Sequence, residues 1–287
     1  MQPASLTLAR RGKRHLGAAA VIGIALLMPN QIAAQSGLLD APSAVVSHMA
    51  DNTTFDGDPP HASSHSSFGQ LVKRGLEDQR QIYTAPFHRS ALKWDFVIVA
   101  ATGSLIAADR HISGDISSSN LNLSRDISDV GLYGTLGAVG VSWLTGAATH
   151  NAHAEETGFL GAEAIANSAA LYAVINVISG RQRPLEDSGK GHFFQNNTLS
   201  SSFPSGHAIL TWSGAAVLAH EYPKPWVKWL AYGTATAVSV TRVTGKEHFT
   251  ADVFVGSTFG YLIGRHIFHS HCKPGLSPAC PVTLVRR

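Results

Sequence analysis

The chain has 287 residues, room for one ordinary domain with an export segment and a tail. Apolar residues make up 44% and charged ones only 14%, which is low for a wholly water-facing surface. A net charge of +3, with no basic stripe interleaved with aromatics, excludes nucleic acid as a partner.

The N-terminus reads as a signal peptide over residues 1–34. Arg10, Arg11, Lys13 and Arg14 form the basic region, Leu16 to Met28 the apolar region, and Ile32-Ala33-Ala34 precedes Gln35 like a small-residue cleavage site. An uncleaved anchor is the alternative. Either way residue 36 onward lies outside the cytoplasm, in the periplasm or cell envelope. Residues 35–90 read as a flexible lead-in, rich in Ser, His, Asp and Pro, that carries one amphipathic helix over 68–82. His61 and His65 have the spacing of helical metal ligands, but their Ser- and Pro-rich context reads as solvated loop.

Residues 91–270 form the main helical domain. Six apolar runs, at 94–108, 130–149, 159–179, 207–220, 226–241 and 252–268, read as helices, with charges gathered in the joints between them. Nothing alternates like a strand, so the fold class is all-α, a bundle of about six core helices. Runs two, four, five and six have long charge-free stretches suited to lipid or a deep core. Run one holds about 13 apolar or small residues between Asp95 and Asp109, short of the ~20 needed to cross a bilayer. Six crossings from an exported N-terminus would turn the joints at 180–206 and 242–251 to the cytoplasm. The reading adopted is therefore an exported helical domain that sits at or in the membrane. Trp226 and Trp229 suit a membrane interface or a buried core equally. Glu163, alone in run three, suits a functional acid or a partner on a neighbouring helix. The tail, 271–287, holds Cys272 and Cys280, a small-loop disulfide in an oxidising compartment.

The joints carry the chemistry. Arg183-Pro184 ends run three, Phe203-Pro204-Ser205-Gly206-His207 opens run four, and Thr241-Arg242 is followed by His248 and Asp252. Arginine offers planar, permanent donors that match a tetrahedral oxyanion. Ser205 and Gly206 fall at a helix N-terminus, where backbone N–H groups point at an anion. The four-residue step from His248 to Asp252 puts both on one helix face, so the carboxylate is expected to hold the ring. His248 is then the nucleophile, Asp252 its orienting base, and His207 the acid that protonates the leaving oxygen. Arg183, Ser205, Gly206 and Arg242 bind the phosphate, and no metal or cofactor is called for, since these groups supply the positive field.

These clusters resemble the signature of the phosphatidic acid phosphatase type 2 and vanadium haloperoxidase superfamily. That pattern has a lysine, six residues, then Arg-Pro; next Pro-Ser-Gly-His; then Ser-Arg, five residues, His, three residues, Asp. Here the second element is intact at Pro204 to His207 and the third at Arg242, His248 and Asp252, with Thr241 where serine is usual. The first departs, because the lysine position holds Asn176. Asn176 brings only a dipolar N–H to the phosphate, and Arg181 or Lys190 could supply the missing charge. The resemblance implies metal-independent hydrolysis of a phosphomonoester or pyrophosphate through a phosphohistidine. The implied substrate is a phosphorylated lipid or a small phosphate ester. Two other functions fit the same residues: a vanadium-dependent haloperoxidase, and a degenerate, non-catalytic envelope protein that binds phospholipid.

Overall fold

The computed structural model describes residues 68–186, 189–195 and 198–281. The expected signal peptide and the His61/His65 pair lie outside these residues. Among them the fold is all-α: α1 (Phe68–Thr84), α2 (Leu92–Asp115), α3 (Leu121–Thr149), α4 (Ala152–Ser179), α5 (Gly206–Glu221), α6 (Pro225–Thr244) and α7 (Thr250–His271), with a 3-10 turn at Ala85–Phe87. The apolar runs became helices that start one or two residues ahead of them, except two that start much earlier. Helix α3 begins at Leu121, nine residues ahead of run two, and α4 at Ala152, seven ahead of run three. Asn151 starts α4 as its cap, its side chain accepting from the Ala154 N–H at 3.1 Å. At the other end Gly180 closes α4 in the left-handed conformation (φ 49°) that glycine adopts without strain.

Helix α5 is the axis of the bundle. Ala208, Ile209, Trp212, Ala215, Ala216, Val217 and Ala219 are all buried, so it is apolar around its circumference, as an enclosed helix must be. Its small residues allow close neighbours. The closest is α7, where Gly256, Gly260 and Gly264 form a stripe against the α5 backbone. A Cβ at Gly260 would fall 2.3 Å from the Ile209 carbonyl oxygen, and one at Gly264 2.3 Å from that of Ser213. Because α5 opens at Ser205-Gly206 and α7 at Asp252, this contact fixes the two motif-bearing N-termini side by side. The Ser205 N–H donates to the Asp252 carbonyl at 3.0 Å.

The outside of the bundle is strongly apolar. Trp94, Phe96, Val97 and Val99 on α2, Ile127, Val130 and Tyr133 on α3, and Trp226, Trp229 and Leu230 on α6 are exposed. Both α6 tryptophans are thus surface residues rather than core. Among the described residues two helices, α2 and α4, are long and apolar enough to cross a membrane. Helix α2 corrects the estimate made from run one, because its ordered length continues on both sides of the apolar stretch to 24 residues. Little of it is covered: 6% of its most apolar window is buried, against 39% for α4. Glu163 pairs with Arg74 of α1. Cys272 and Cys280 form a disulfide.

Candidate active site

The joint between α4 and α5 carries a buried ionic network. Arg181 is 2% exposed, and each of its donor groups is engaged: Nη1 with Asp252 at 2.5 Å, Nη2 with Asp109 at 2.9 Å, and Nε with the Gly191 carbonyl at 3.2 Å. Its guanidinium also lies against the Phe193 and Phe249 rings, at 4.8 and 4.4 Å. Buried charge is tolerated when it is paired and fully hydrogen-bonded, and this site meets both conditions. Asp109 on α2 also accepts the Ala251 N–H, and Asp252 accepts the Phe249 N–H at 2.8 Å and the Ser202 hydroxyl at 2.5 Å. Three elements distant in sequence are thereby tied together beneath His248.

His248 is held by a different group from the one the spacing suggested. Its Nδ1 lies 2.7 Å from the Ser202 carbonyl oxygen, whereas the Asp252 carboxylate is 3.9 Å away. A carbonyl can only accept, so Nδ1 carries the proton and Nε2 keeps its lone pair. Asp252 acts one residue removed, by fixing Ser202. The helical step does put residues 248 and 252 close. The carboxylate's own lone pairs, however, are taken by Arg181, Ser202 and the α7 cap. Burial, followed by the charges of Arg242 and Arg183, keeps His248 neutral well below the usual histidine range. Burial also pushes Asp252 up to about 6 despite Arg181, leaving it ionised at neutral pH.

Around this imidazole the arginines converge on one carboxylate. Arg183 Nη1 and Arg242 Nη2 reach Glu247 Oε2 at 2.7 and 3.4 Å, and Arg125 Nε reaches Oε1 at 2.5 Å. Arg242 Nη1 also donates to the Ser128 hydroxyl at 3.3 Å. His207 pairs with Asp129 of α3, Nε2 to Oδ1, at 2.8 Å. Burial and the Arg242 charge lower the His207 pKa, while Asp129 opposes them. Ser205 is fully buried at the start of α5, and its hydroxyl has no partner among the described residues, as is true of Arg242 Nε. An unpartnered buried hydroxyl at the N-terminus of α5 and an unpartnered guanidinium donor near the C-terminal end of α6 are groups that an anion satisfies.

Arg183, Ser205, Gly206, His207, Arg242, His248 and Asp252 thus come together, and two candidates do not. Asn176 is buried inside α4, and its amide donates to the Ser201 and Phe203 carbonyls at 2.8 and 3.2 Å. Both amide hydrogens hold the joint in shape and none remains for a phosphate. Lys190 is exposed between Gly189 and Gly191, with no contact to the arginines or imidazoles among the described residues. Arg181 is locked in the ionic network. Conversely, Arg125, Ser128, Asp129 and Glu247 face the site without having been singled out. The α3 set occupies positions i, i+3 and i+4 of one helical face, a signal present in the sequence.

Residues 159–274 match the model of the PAP2 superfamily. That region holds every signature residue, from Asn176 to Asp252, and it excludes α1, α2 and α3. A stretch of 77 residues is 29% identical to a lipid A 1-phosphatase of Porphyromonas gingivalis, covering 26% of this chain and 17% of that protein. The chain therefore spans only a minor part of this curated relative's length. No solved structure gives a significant match. The PAP2 match agrees with the all-α architecture and with the resemblance read from the three clusters. It also shows why Arg125 and Asp129 escaped notice, since both lie outside the region that the family pattern describes.

Proposed function

We propose that the chain is a phosphatase of the PAP2 type that hydrolyses a phosphorylated lipid through a phosphohistidine at His248. The observation that carries this reading is the Ser202 carbonyl on Nδ1, which leaves Nε2 as a lone pair beside Arg183 and Arg242. Nε2 attacks phosphorus in line and the alcohol oxygen departs with a proton from His207. Water, deprotonated by His207, then attacks the phosphohistidine and releases orthophosphate. Arg183, Arg242 and Ser205 stabilise the charge on the equatorial oxygens in both steps. The cluster of guanidiniums supplies the positive field that a metal supplies elsewhere.

A lipid substrate is favoured over a small soluble ester by the surface around the site. An apolar groove between α3 and α6, lined by Ile127, Val130, Ala237 and Val238, begins one turn from Arg125 and Arg242. An acyl chain in that groove would bring its headgroup phosphate to the arginines. The exposed apolar faces of α2, α3 and α6 support a position at the membrane, and the lipid A 1-phosphatase similarity points the same way.

The test is phosphate release from p-nitrophenyl phosphate and from a lipid 1-phosphate in detergent micelles, for wild type and His248→Ala. Release from both substrates, with the lipid preferred and all turnover lost in the variant, is expected. Turnover that survives the substitution would remove His248 from the mechanism.

A further inference from the structure

The phosphate site lacks the cation that position 176 would have supplied, and neither Arg181 nor Lys190 reaches it. We propose that Arg125 is the third guanidinium of this site, and that Glu247 holds the three arginines in register until a phosphoryl group replaces it. The proposal rests on the phosphatase reading above and deepens it, by giving Arg125 a phosphate contact in the two chemical steps.

Four observations converge. Arg125 meets the same carboxylate as Arg183 and Arg242, with Nε 2.5 Å from Glu247 Oε1, so all three guanidiniums surround a single anionic group. Their charges sum to three positive against one negative, a surplus of two that matches a phosphomonoester dianion. The other two carboxylates are engaged elsewhere: Asp129, one turn along α3, with His207, and Asp252 with Arg181 and Ser202. One donor of the cluster itself, Arg242 Nε, is buried and has no partner among the described residues, so a carboxylate alone does not satisfy the site. Finally, Arg125 is 39% exposed at its side chain and Arg183 28%, so a headgroup can reach both from outside while Arg242 waits behind them at 7%. A planar carboxylate has two oxygens to offer, and a phosphate has three or four arranged tetrahedrally. That is the better match to three forks arriving from α3, α6 and the α4–α5 joint.

Glu247 then has a definite task. Three like charges packed together repel one another, and a carboxylate supplied by the chain keeps them gathered in the free enzyme. When substrate enters, Glu247 gives up its contacts to Arg183 and Arg242 and the phosphoryl oxygens take them.

Orthophosphate binding, measured by calorimetry on the full chain in detergent, tests this directly. Arg125→Gln is expected to weaken orthophosphate by about 10- to 100-fold, the loss of one charge-assisted contact, with kcat/KM for p-nitrophenyl phosphate falling in parallel. The unfolding midpoint should stay near the wild-type value, since Arg125 is more than a third exposed and Glu247 keeps Arg183 and Arg242 as partners. Arg125→Lys restores part of the affinity, an effect that a purely structural arginine would not give. Glu247→Gln is expected to tighten orthophosphate several-fold by removing the competitor. Orthophosphate affinity within twofold of wild type in both Arg125 variants overturns the assignment, and weaker binding by Glu247→Gln overturns the placeholder role. Should wild type bind orthophosphate but hydrolyse neither ester, the phosphatase reading fails while the Arg125 assignment is still judged by the affinity ratio. Should wild type bind no orthophosphate, the assignment fails outright.

Discussion

Arg181→Met is the perturbation that separates the scaffold beneath His248 from the phosphate site above it. Methionine keeps much of the side chain's length and its contact with Phe193 and Phe249, so little packing is lost. What disappears is the countercharge of Asp109 and Asp252, at 1% and 0% exposure. Breaking a buried pair from one side typically costs ~3–5 kcal/mol, a large part of the ~5–15 kcal/mol that holds a domain together. For a chain of this size that corresponds to a fall of roughly 6–20 °C in the unfolding midpoint. The sign with pH follows from linkage. Arg181 is the largest influence opposing the rise of Asp252, so its loss carries the folded-state pKa above the value of about 6 seen with the guanidinium present. A carboxyl whose pKa is raised on folding stabilises the fold at low pH and loses that contribution as pH rises through the folded value. The variant should therefore recover more stability than wild type between about pH 7 and pH 5. Adding Asp109→Asn and Asp252→Asn should restore much of the midpoint at neutral pH. Thermal unfolding followed by circular dichroism in one detergent, at both pH values, reads all of this. A midpoint within about 2 °C of wild type at pH 7, or no steeper recovery on acidification, would refute the claim that the network is a stabilising tie.

Two further outcomes follow from the geometry. Asp129→Asn removes the group that raises the His207 pKa, so the alkaline limb of kcat/KM should move to lower pH. A limb that stays in place would show that His207 does not act as the acid, or that Asp129 does not reach it in solution. Gly260→Ala places a Cβ 2.3 Å from the Ile209 carbonyl, forcing α5 and α7 apart. Overpacking of this kind costs ~1–3 kcal/mol, and because α5 carries Ser205 and His207, turnover should fall together with the midpoint. A wild-type midpoint and rate would mean that the glycine stripe does not set the approach.

Much of the fold was legible because helices announce themselves through apolar runs with charges at the joints. All six runs became helices, and the motif positions fell at their ends. What escaped the sequence was whatever depended on partners from elsewhere in the chain. The first two turns of α3 were read as joint because Arg125 and Asp126 interrupt the apolar pattern. Those charges face the site and solvent, so they belong to a helix whose apolar stripe begins later. The spacing of His248 and Asp252 correctly implied proximity, but spacing is silent about competing donors, and Arg181 and Ser202 hold the carboxylate. Asn176 looked like a weakened phosphate ligand because the comparison was with a lysine at one position. Its amide instead braces the Ser201 and Phe203 carbonyls. Glu247 was invisible for a related reason: a carboxylate among arginines has no linear signature when two of the three arginines lie 64 and 122 residues away.

The central claim is that His248 becomes covalently phosphorylated, and quenched-flow trapping tests it most directly. Wild type mixed with a labelled phosphate ester and quenched in alkali should yield an acid-labile, base-stable phosphate that peptide mapping places on His248. His248→Ala should carry none. Turnover by wild type with no trapped label, or with label on another residue, would contradict the account.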